Sequence, residues 1–236
     1  MNKYFLLIFI SIFSLSFAQA QEYSFGIKGG GNYAVGGEVV GRASFNPTTG
    51  NNDYNTDTYS PESEIGFHAG VFFELSFGKF FIRPEVMFNT ITTKFEFVNV
   101  ESEYSVEKIS IPLLFGYNVW GPIDIYGGPA YQSFSTATFD NLMNPISLPD
   151  DPFAGQLGVK FNFSRFELDF RYDHTIASEN FYEIDVENDS TTGTSRDGVN
   201  FANFDDRLNQ FLVSLSFKIG DSESKPDRSR GQGCYF

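Results

Sequence analysis

The sequence has little cysteine and few basic residues, and both shortages narrow the possible functions. Cys234 is the single cysteine among 236 residues, so stability cannot come from an internal disulfide and must come from packing and backbone pairing. Lysine and arginine number 16 against 30 acidic residues, which leaves a net charge of -14. This balance argues against binding to nucleic acid or anionic lipid by charge attraction alone.

Long apolar runs are missing after the first twenty residues. The opening MNKYFLLIFISIFSLSFAQA has a basic residue, an apolar run and a terminal Ala18-Gln19-Ala20, which is the layout of a secretory signal peptide cleaved after Ala20. The alternative is a membrane anchor, but the run is shorter than the ~18 apolar residues that a membrane helix needs. We therefore expect a signal peptide over 1–20, one β domain over 21–220 and a polar tail over 221–236.

Aromatic residues are abundant, at 18 % of the chain, and they alternate with polar residues. In the stretch FELDFRYDH, residues 166–174, apolar Phe166, Leu168, Phe170 and Tyr172 alternate with charged residues. Because successive side chains of a strand point to opposite faces, one face is aromatic and the other is charged. Eight segments show this kind of alternation: 23–33, 65–77, 80–88, 108–118, 123–132, 153–163, 166–174 and 209–219.

The connections between these segments alternate in length. Those at 78–79, 119–122 and 164–165 are short, whereas most of the others are long and polar, as in 34–64 and 177–206. Short turns on one side and long loops on the other are typical of bacterial outer-membrane barrels. The pattern predicts an all-β fold, an eight-stranded antiparallel up-and-down transmembrane β-barrel; the alternative is a secreted soluble β protein.

In such a barrel the apolar face contacts lipid and the polar face lines the lumen. We expect lipid contact at Phe67, Val71, Phe73, Leu113, Leu168 and Phe170, and inward orientation at Gln156 and Ser214. The same parity predicts a polar network in the lumen made of Lys28, His68, Glu74, Arg83, Glu85, Lys108, Asp124, Lys160, Glu167, Asp169, Arg171, Asp173 and Lys218.

Six bases and six acids in this set predict a neutral, closed interior, because an eight-stranded barrel is just wide enough to be filled by side chains. The charges on 166–174 need partners from other strands. Lys160 and Lys218 on neighbouring segments are candidates, and Arg171 can reach the acids of its own strand or Glu74 and Glu85 across the lumen.

Prolines and glycines interrupt several predicted strands. Pro84, Pro112 and Pro129 lack a ladder donor, and we expect β-bulges there, which would reverse inward and outward beyond them. The glycines at 29–31 precede no helix and so form no phosphate loop; we expect them to let the first strand bend sharply.

Four stretches resemble the signature strands of the PorT-like outer-membrane β-barrel domain, a family of small barrels of the OmpX and OmpA kind: GIKGGGNYA, IRPEVMF, ISIPLLFGYN and DIYGGPAYQ. The resemblance covers about 23–220 and implies the barrel fold; a few members of that family are tied to protein secretion. Such barrels usually end on an aromatic residue that the barrel-assembly machinery reads. Here a polar tail follows the last predicted strand, so either Phe217 is an internal signal or the tail has another role.

Catalytic and metal-binding signals are weak. His68 and His174 have no nucleophile motif beside them, and we interpret them as polar residues of the lumen or rim. Asp185, Glu187 and Asp189 are spaced like the start of a calcium loop, but the glycine and the final glutamate of that loop are missing. We expect no enzyme activity, no metal and no cofactor.

The sequence thus predicts a non-enzymatic small outer-membrane barrel with a plugged polar lumen and long extracellular loops, for surface interaction or for envelope assembly and secretion. A narrow channel and an outer-membrane hydrolase are the alternatives. Expected partners are outer-membrane lipid and lipopolysaccharide, the barrel-assembly machinery and envelope proteins, and not nucleic acid.

Overall fold

The computed structural model describes residues 22–45, 52–97, 100–142, 146, 152–176, 181–184, 200–205, 207 and 209–222. No helix among these residues is long and apolar enough to cross a membrane. The predicted signal peptide, the candidate acids Asp185, Glu187 and Asp189, and most of the C-terminal tail lie outside the described residues. The described strands are β1 (Glu22–Val35), β2 (Val39–Phe45), β3 (Asn52–Tyr59), β4 (Glu62–Ser63), β5 (Ile65–Phe77), β6 (Phe80–Phe97), β7 (Val100–Trp120), β8 (Ile123–Phe139), β9 (Phe153–Phe163), β10 (Phe166–Thr175), β11 (Phe181–Ile184), β12 (Asn200–Asp205) and β13 (Asn209–Asp221).

Eight of these strands close into a ring. The order is β6-β5-β1-β13-β10-β9-β8-β7, and β7 pairs with β6 to complete the circle. All eight pairings are antiparallel. Closure leaves no free sheet edge in the ring, which a strand structure in lipid requires. The eight-stranded antiparallel barrel predicted from the alternation is confirmed.

The two ends of the barrel differ. At one end, here called the turn end, two-residue turns at 78–79, 121–122 and 164–165 join the strands. Gly78 and Gly121 have φ angles of 63° and 53°, in the left-handed region where glycine is favoured. At the opposite loop end, β6, β7 and β8 continue to 18, 21 and 17 residues, whereas β10 has 10. In outer-membrane barrels the short turns are periplasmic and the long loops extracellular.

The outward surface carries an apolar band with an aromatic girdle at each border. Turn-end girdle residues are Tyr23, Phe25, Phe80, Trp120, Phe163 and Phe166; loop-end girdle residues are Tyr33, Phe67, Phe88, Tyr131, Phe153 and Phe211. Aliphatic side chains lie between them, including Ile27, Val71, Val86, Ile111, Leu157 and Val213. A continuous exposed apolar belt is unfavourable in water and is the surface that a bilayer contacts. This belt favours the membrane barrel over the soluble alternative.

The prolines do not produce the expected bulges. Opposite Pro84, Pro112 and Pro129 the ladder omits two residue pairs on one side, yet the register is the same before and after each gap. The register shifts of β7 with β8 lie elsewhere, at Glu107/Lys108 and at Asn118/Trp120. The expectation was wrong because a missing donor can be accommodated by a local gap in hydrogen bonding. No extra residue is inserted, so the inward and outward faces of these strands do not exchange beyond the prolines.

A second sheet at the loop end was not predicted from the sequence. Strands β11, β12, β2 and β3 pair in that order and are separate from the ring. They lie within the segments 34–64 and 177–206, which were expected to be long polar loops. An apolar cluster joins this sheet to the extended strands of the barrel: Ala34, Val39, Ile91, Phe95, Phe97, Tyr104, Val106, Phe139, Ile184, Ala202 and Phe204. We call this group the apolar cap.

Candidate functional site: the barrel lumen

The structure places all thirteen predicted lumen residues inside the barrel. Twelve are buried, and the side chain of Lys218 at the turn end is 16 % exposed. Parity explains the placement, because inward positions recur at every second residue along each strand. On β10 the buried residues are Glu167, Asp169, Arg171 and Asp173, the charged face of the stretch FELDFRYDH.

Nearest the turn end, Arg83 organises a first ionic cluster. Its Nη1 donates to Glu74 Oε2 at 3.1 Å and to Glu167 Oε2 at 2.6 Å, while its Nε donates to Glu85 Oε1 at 2.8 Å. The guanidinium also lies over the ring of Phe72, 3.7 Å from its centroid. One fully buried cation is therefore shared among three carboxylates on three strands.

Lys160 adds the second cation of this cluster. Its Nζ lies 2.5 Å from Glu74 Oε2, 3.5 Å from Asp124 Oδ2 and 3.6 Å from Glu167 Oε1. Lys218 approaches the same Glu167 Oε1 at 3.2 Å. The two lysines proposed from sequence as partners of β10 both contact Glu167.

Arg171 organises a second cluster at mid-lumen. Its Nη1 donates to Glu85 Oε2 at 2.8 Å, and its Nη2 donates to Glu85 Oε1 at 3.1 Å and to Asp169 Oδ2 at 3.0 Å. Lys28 Nζ and the Tyr126 hydroxyl also donate to Asp169. Of the acids expected to pair with Arg171, Glu85 and Asp169 do so, and Glu74 instead pairs with Arg83 and Lys160.

A polar layer lies above this cluster. Asp173 accepts hydrogen bonds from Lys108 Nζ at 3.3 Å, from Gln132 Nε2 at 3.2 Å and from Gln210 Nε2 at 2.8 Å. His68 Nε2 lies 2.8 Å from Ser214 Oγ. Neutral amides supply much of the pairing here, so charge is less dense than in the two ionic clusters.

The apolar cap lies at the loop end of the barrel. Along β6 the inward positions beyond Asn89 are Ile91, Thr93, Phe95 and Phe97, and all four are at most 5 % exposed. Phe204 of β12 packs edge-on against Tyr104 with ring centroids 4.8 Å apart. The inward face therefore changes from polar to apolar where the strands leave the bilayer.

Several contributors to the lumen were not identified from sequence. Tyr126 and Gln132 occupy inward positions by parity, but the predicted network contained only charged residues and histidine. The apolar cap was missed because alternation on 90–107 has the opposite polarity from that of a membrane strand, with the apolar face inward.

Each of the twelve lumen charges has an opposite charge within 3.6 Å, six cations against six anions. Neutrality matters because an unpaired charge in a low-dielectric interior is costly. The arrangement can hold strands in register and fill the bore.

In the described part of the chain, no group of three or more His, Cys, Asp and Glu residues is placed to hold a metal ion. His174 is exposed at the rim, where its Nδ1 lies 2.9 Å from Asn209 Oδ1.

The outer membrane protein beta-barrel domain family matches residues 17–180 of the sequence. The chain belongs to this family. Membership agrees with the barrel and its apolar belt, and it indicates the bacterial outer membrane. The match supports the general barrel family and not specifically the PorT-like group named from the sequence. No curated protein matches the sequence.

Two solved structures are similar to this barrel in outline. Neisserial surface protein A is 12 % identical, with 83 % of this chain and 98 % of that chain covered and a TM-score of 0.38. Ail, the attachment invasion locus protein of Yersinia pestis, was solved in complex with the heparin analogue sucrose octasulfate. It is 11 % identical, covers 85 % of this chain and 99 % of that chain, and has a TM-score of 0.36.

Proposed function

We propose that this barrel is a closed, non-conducting and non-enzymatic anchor that holds a folded β-sheet outside the cell for contact with other molecules. The observation that supports the proposal is the set of buried, paired charges along the lumen. Neutral ionic clusters occupy its turn-end half, and the apolar cap occupies its loop end. A channel needs a continuous aqueous path, and neither layer favours one.

Electrical recording in planar bilayers tests the closed lumen. The unmodified barrel should show no stable conductance under conditions in which a general porin conducts. A reproducible single-channel conductance of porin size in the unmodified protein would refute the proposal and favour the narrow channel.

A double variant sharpens this test. Arg171→Ser with Glu85→Ser removes one cation and one anion from mid-lumen without changing the net charge, so small-ion leakage should rise. The matched control is Lys94→Ser with Glu64→Ser, an exposed pair with a 2.7 Å contact outside the bilayer. The control variant should show no increase in ion conductance.

We place the contact surface at the loop-end sheet, because the apolar cap ties that sheet to the barrel. Its partner is proposed to be an envelope or external protein, and the runner-up is lipopolysaccharide. A photo-crosslinking residue at exposed Asn203 should capture protein, whereas one at lipid-facing Ile125 should capture lipid. Capture of lipopolysaccharide alone from position 203 would favour the runner-up.

Insertion is proposed to use the barrel-assembly machinery, with β13 as the strand that is recognised. Phe217 lies near the turn end of β13, and its ring centroid is 5.2 Å from that of Phe166. Phe217→Ala should lower the folded fraction in cells, while Phe211→Ala, at the other end of the strand, should not. Equal folded fractions in cells would count against β13 as the recognised strand.

A further inference from the structure

A groove in the lipid-facing wall lies in the turn-end half of the apolar band, across β6 to β9. Its volume is about 390 Å³, and its lining is almost entirely apolar. The lining residues are Phe80, Phe115, Gly116, Tyr117, Ile125, Tyr126, Gly127 and Leu157. A smooth barrel wall has no such depression, so the groove needs a local cause.

The cause is a missing side chain at Gly127. This residue faces outward on β8, opposite Phe115 of β7 and Leu157 of β9. Phe115 and Leu157 are 50 % and 68 % exposed, so they project on either side of a position that has no side chain. The result is a notch one side chain deep between two large walls.

The groove also extends along the strand direction. Its lining includes three consecutive residues on each of two strands, 115–117 on β7 and 125–127 on β8. The first and last of three strand residues are about 7 Å apart at ~3.3 Å per residue. That length accommodates a segment of an extended acyl chain.

A cation lies where the groove reaches the turn end. Lys79, in the turn between β5 and β6, has its Nζ 5.8 Å from the ring centroid of Tyr117, one of the lining residues. The backbone amide of Asn118 donates to the carbonyl of Lys79 at 2.7 Å, which ties this turn to β7. The ammonium is therefore held beside the groove at the level of the lipid headgroups.

We propose that this groove binds one anionic glycerophospholipid of the periplasmic leaflet, with an acyl chain over Gly127 and the phosphate beside Lys79. Apolar walls accept hydrocarbon, and the surrounding surface already faces lipid. Lys79 at the turn-end opening sets the orientation and favours an anionic headgroup. This site is independent of the closed lumen and of the external sheet.

Native mass spectrometry of the detergent-solubilised barrel tests the site with phosphatidylglycerol and phosphatidylethanolamine of identical chains. The first phosphatidylglycerol should bind about fivefold more tightly, the effect expected of one lysine near an anionic lipid. Gly127→Leu fills the notch and should weaken the first binding event for both lipids about tenfold, close to what a few lost methylene contacts would cause. Lys79→Gln should remove the preference for phosphatidylglycerol, because it should weaken phosphatidylglycerol binding more than phosphatidylethanolamine binding.

Two variants serve as matched controls. Val213→Leu enlarges an outward side chain on β13, three strands away around the ring, and Arg165→Gln removes an exposed charge from another turn. Both should bind like the unmodified barrel. A β-carbon at Gly127 would lie 3.1 Å from the Gln156 carbonyl oxygen, so the folding of Gly127→Leu must be verified by heat-shifted gel mobility.

If Gly127→Leu does not fold, the lipid preference of Lys79→Gln tests the proposal, because that substitution alters only an exposed turn. Equal affinity of the two lipids for the unmodified barrel would overturn the proposal. So would a preference that survives Lys79→Gln, or a folded Gly127→Leu that binds like Val213→Leu. Each of those results would indicate non-specific binding of lipid around the barrel.

Discussion

Arg171 on β10 donates two hydrogen bonds, 2.8 and 3.1 Å long, to Glu85 on β6, the strand diametrically opposite in the ring. The reciprocal pair, Arg83 on β6 with Glu167 on β10, spans the same diameter at 2.6 Å. Lys160 on β9 and Glu74 on β5 are also four strands apart, with a 2.5 Å contact. These three ion pairs cross the bore and connect strands that do not pair through their backbones.

We predict that Arg171→Ala destabilises the folded barrel by about 3–5 kcal/mol, because Glu85 and Asp169 lose a shared, buried cation. Urea unfolding in lipid vesicles, followed by heat-shifted gel mobility, measures the change. Lys94→Ala is the control, since its partners Glu64 and Glu101 are exposed, and it should leave the midpoint unchanged. An unchanged midpoint for Arg171→Ala would mean that the lumen is hydrated.

We predict that adjacent positions on β13 have opposite environments. After replacement of Cys234, a fluorophore attached to a cysteine at Val213 should be quenched strongly by brominated lipid, and one at Ser214 only weakly. Val213 is 47 % exposed on the lipid face, and Ser214 is 1 % exposed in the lumen. Equal quenching at the two positions would contradict the assignment of faces.

Arginine substitution probes the same faces through stability. Val71→Arg places a charge on the lipid face and should cost about 2–4 kcal/mol near the bilayer midplane. Chemical unfolding in vesicles reports the loss. The matched control is Glu62→Arg at the exposed loop end, where the new charge stays in water and the midpoint should change little.

The apolar cap should unfold separately from the barrel when it is weakened. Phe204 is fully buried, with ring centroids 6.0 Å from Phe95 and 5.6 Å from Phe139. Phe204→Ala should cost the loop-end sheet about 3–5 kcal/mol and raise its hydrogen exchange and protease sensitivity. Exposed Asn203→Ala is the control. Loss of the heat-shifted barrel band in Phe204→Ala would show instead that cap and barrel fold as one unit.

Two neighbouring glycines of β1 should differ sharply in tolerance. A β-carbon on Gly30 would lie 1.9 Å from the Val213 carbonyl oxygen, whereas one on Gly29 would lie 3.4 Å from that of His68. Gly30→Ala should therefore destabilise the barrel by about 1–3 kcal/mol, because β13 must move away to make room for the methyl group. Gly29→Ala should be close to neutral. Similar unfolding midpoints for the two variants would show that β13 can give way at Gly30.

The number of barrel strands, their direction and the identity of their two faces could be predicted from the sequence, because they depend on local information. Alternation with a period of two sets which residues share a face. Short connections in the sequence identify the consecutive strands that are joined by tight turns and therefore run antiparallel. Thus all of the charges on FELDFRYDH were assigned inward from their positions alone, and the structure places them there.

Partner choice in the lumen, the loop-end sheet and the lipid groove depended on the tertiary structure. Arg171 had several acids within plausible reach, and only closure of the ring brings Glu85 of the opposite strand to it while directing Glu74 to Arg83 and Lys160. The apolar cap joins residues as distant as Phe95 and Phe204, and the groove depends on which side chains flank Gly127. These contacts are set by strand register around a closed barrel, a long-range property that no local alternation specifies.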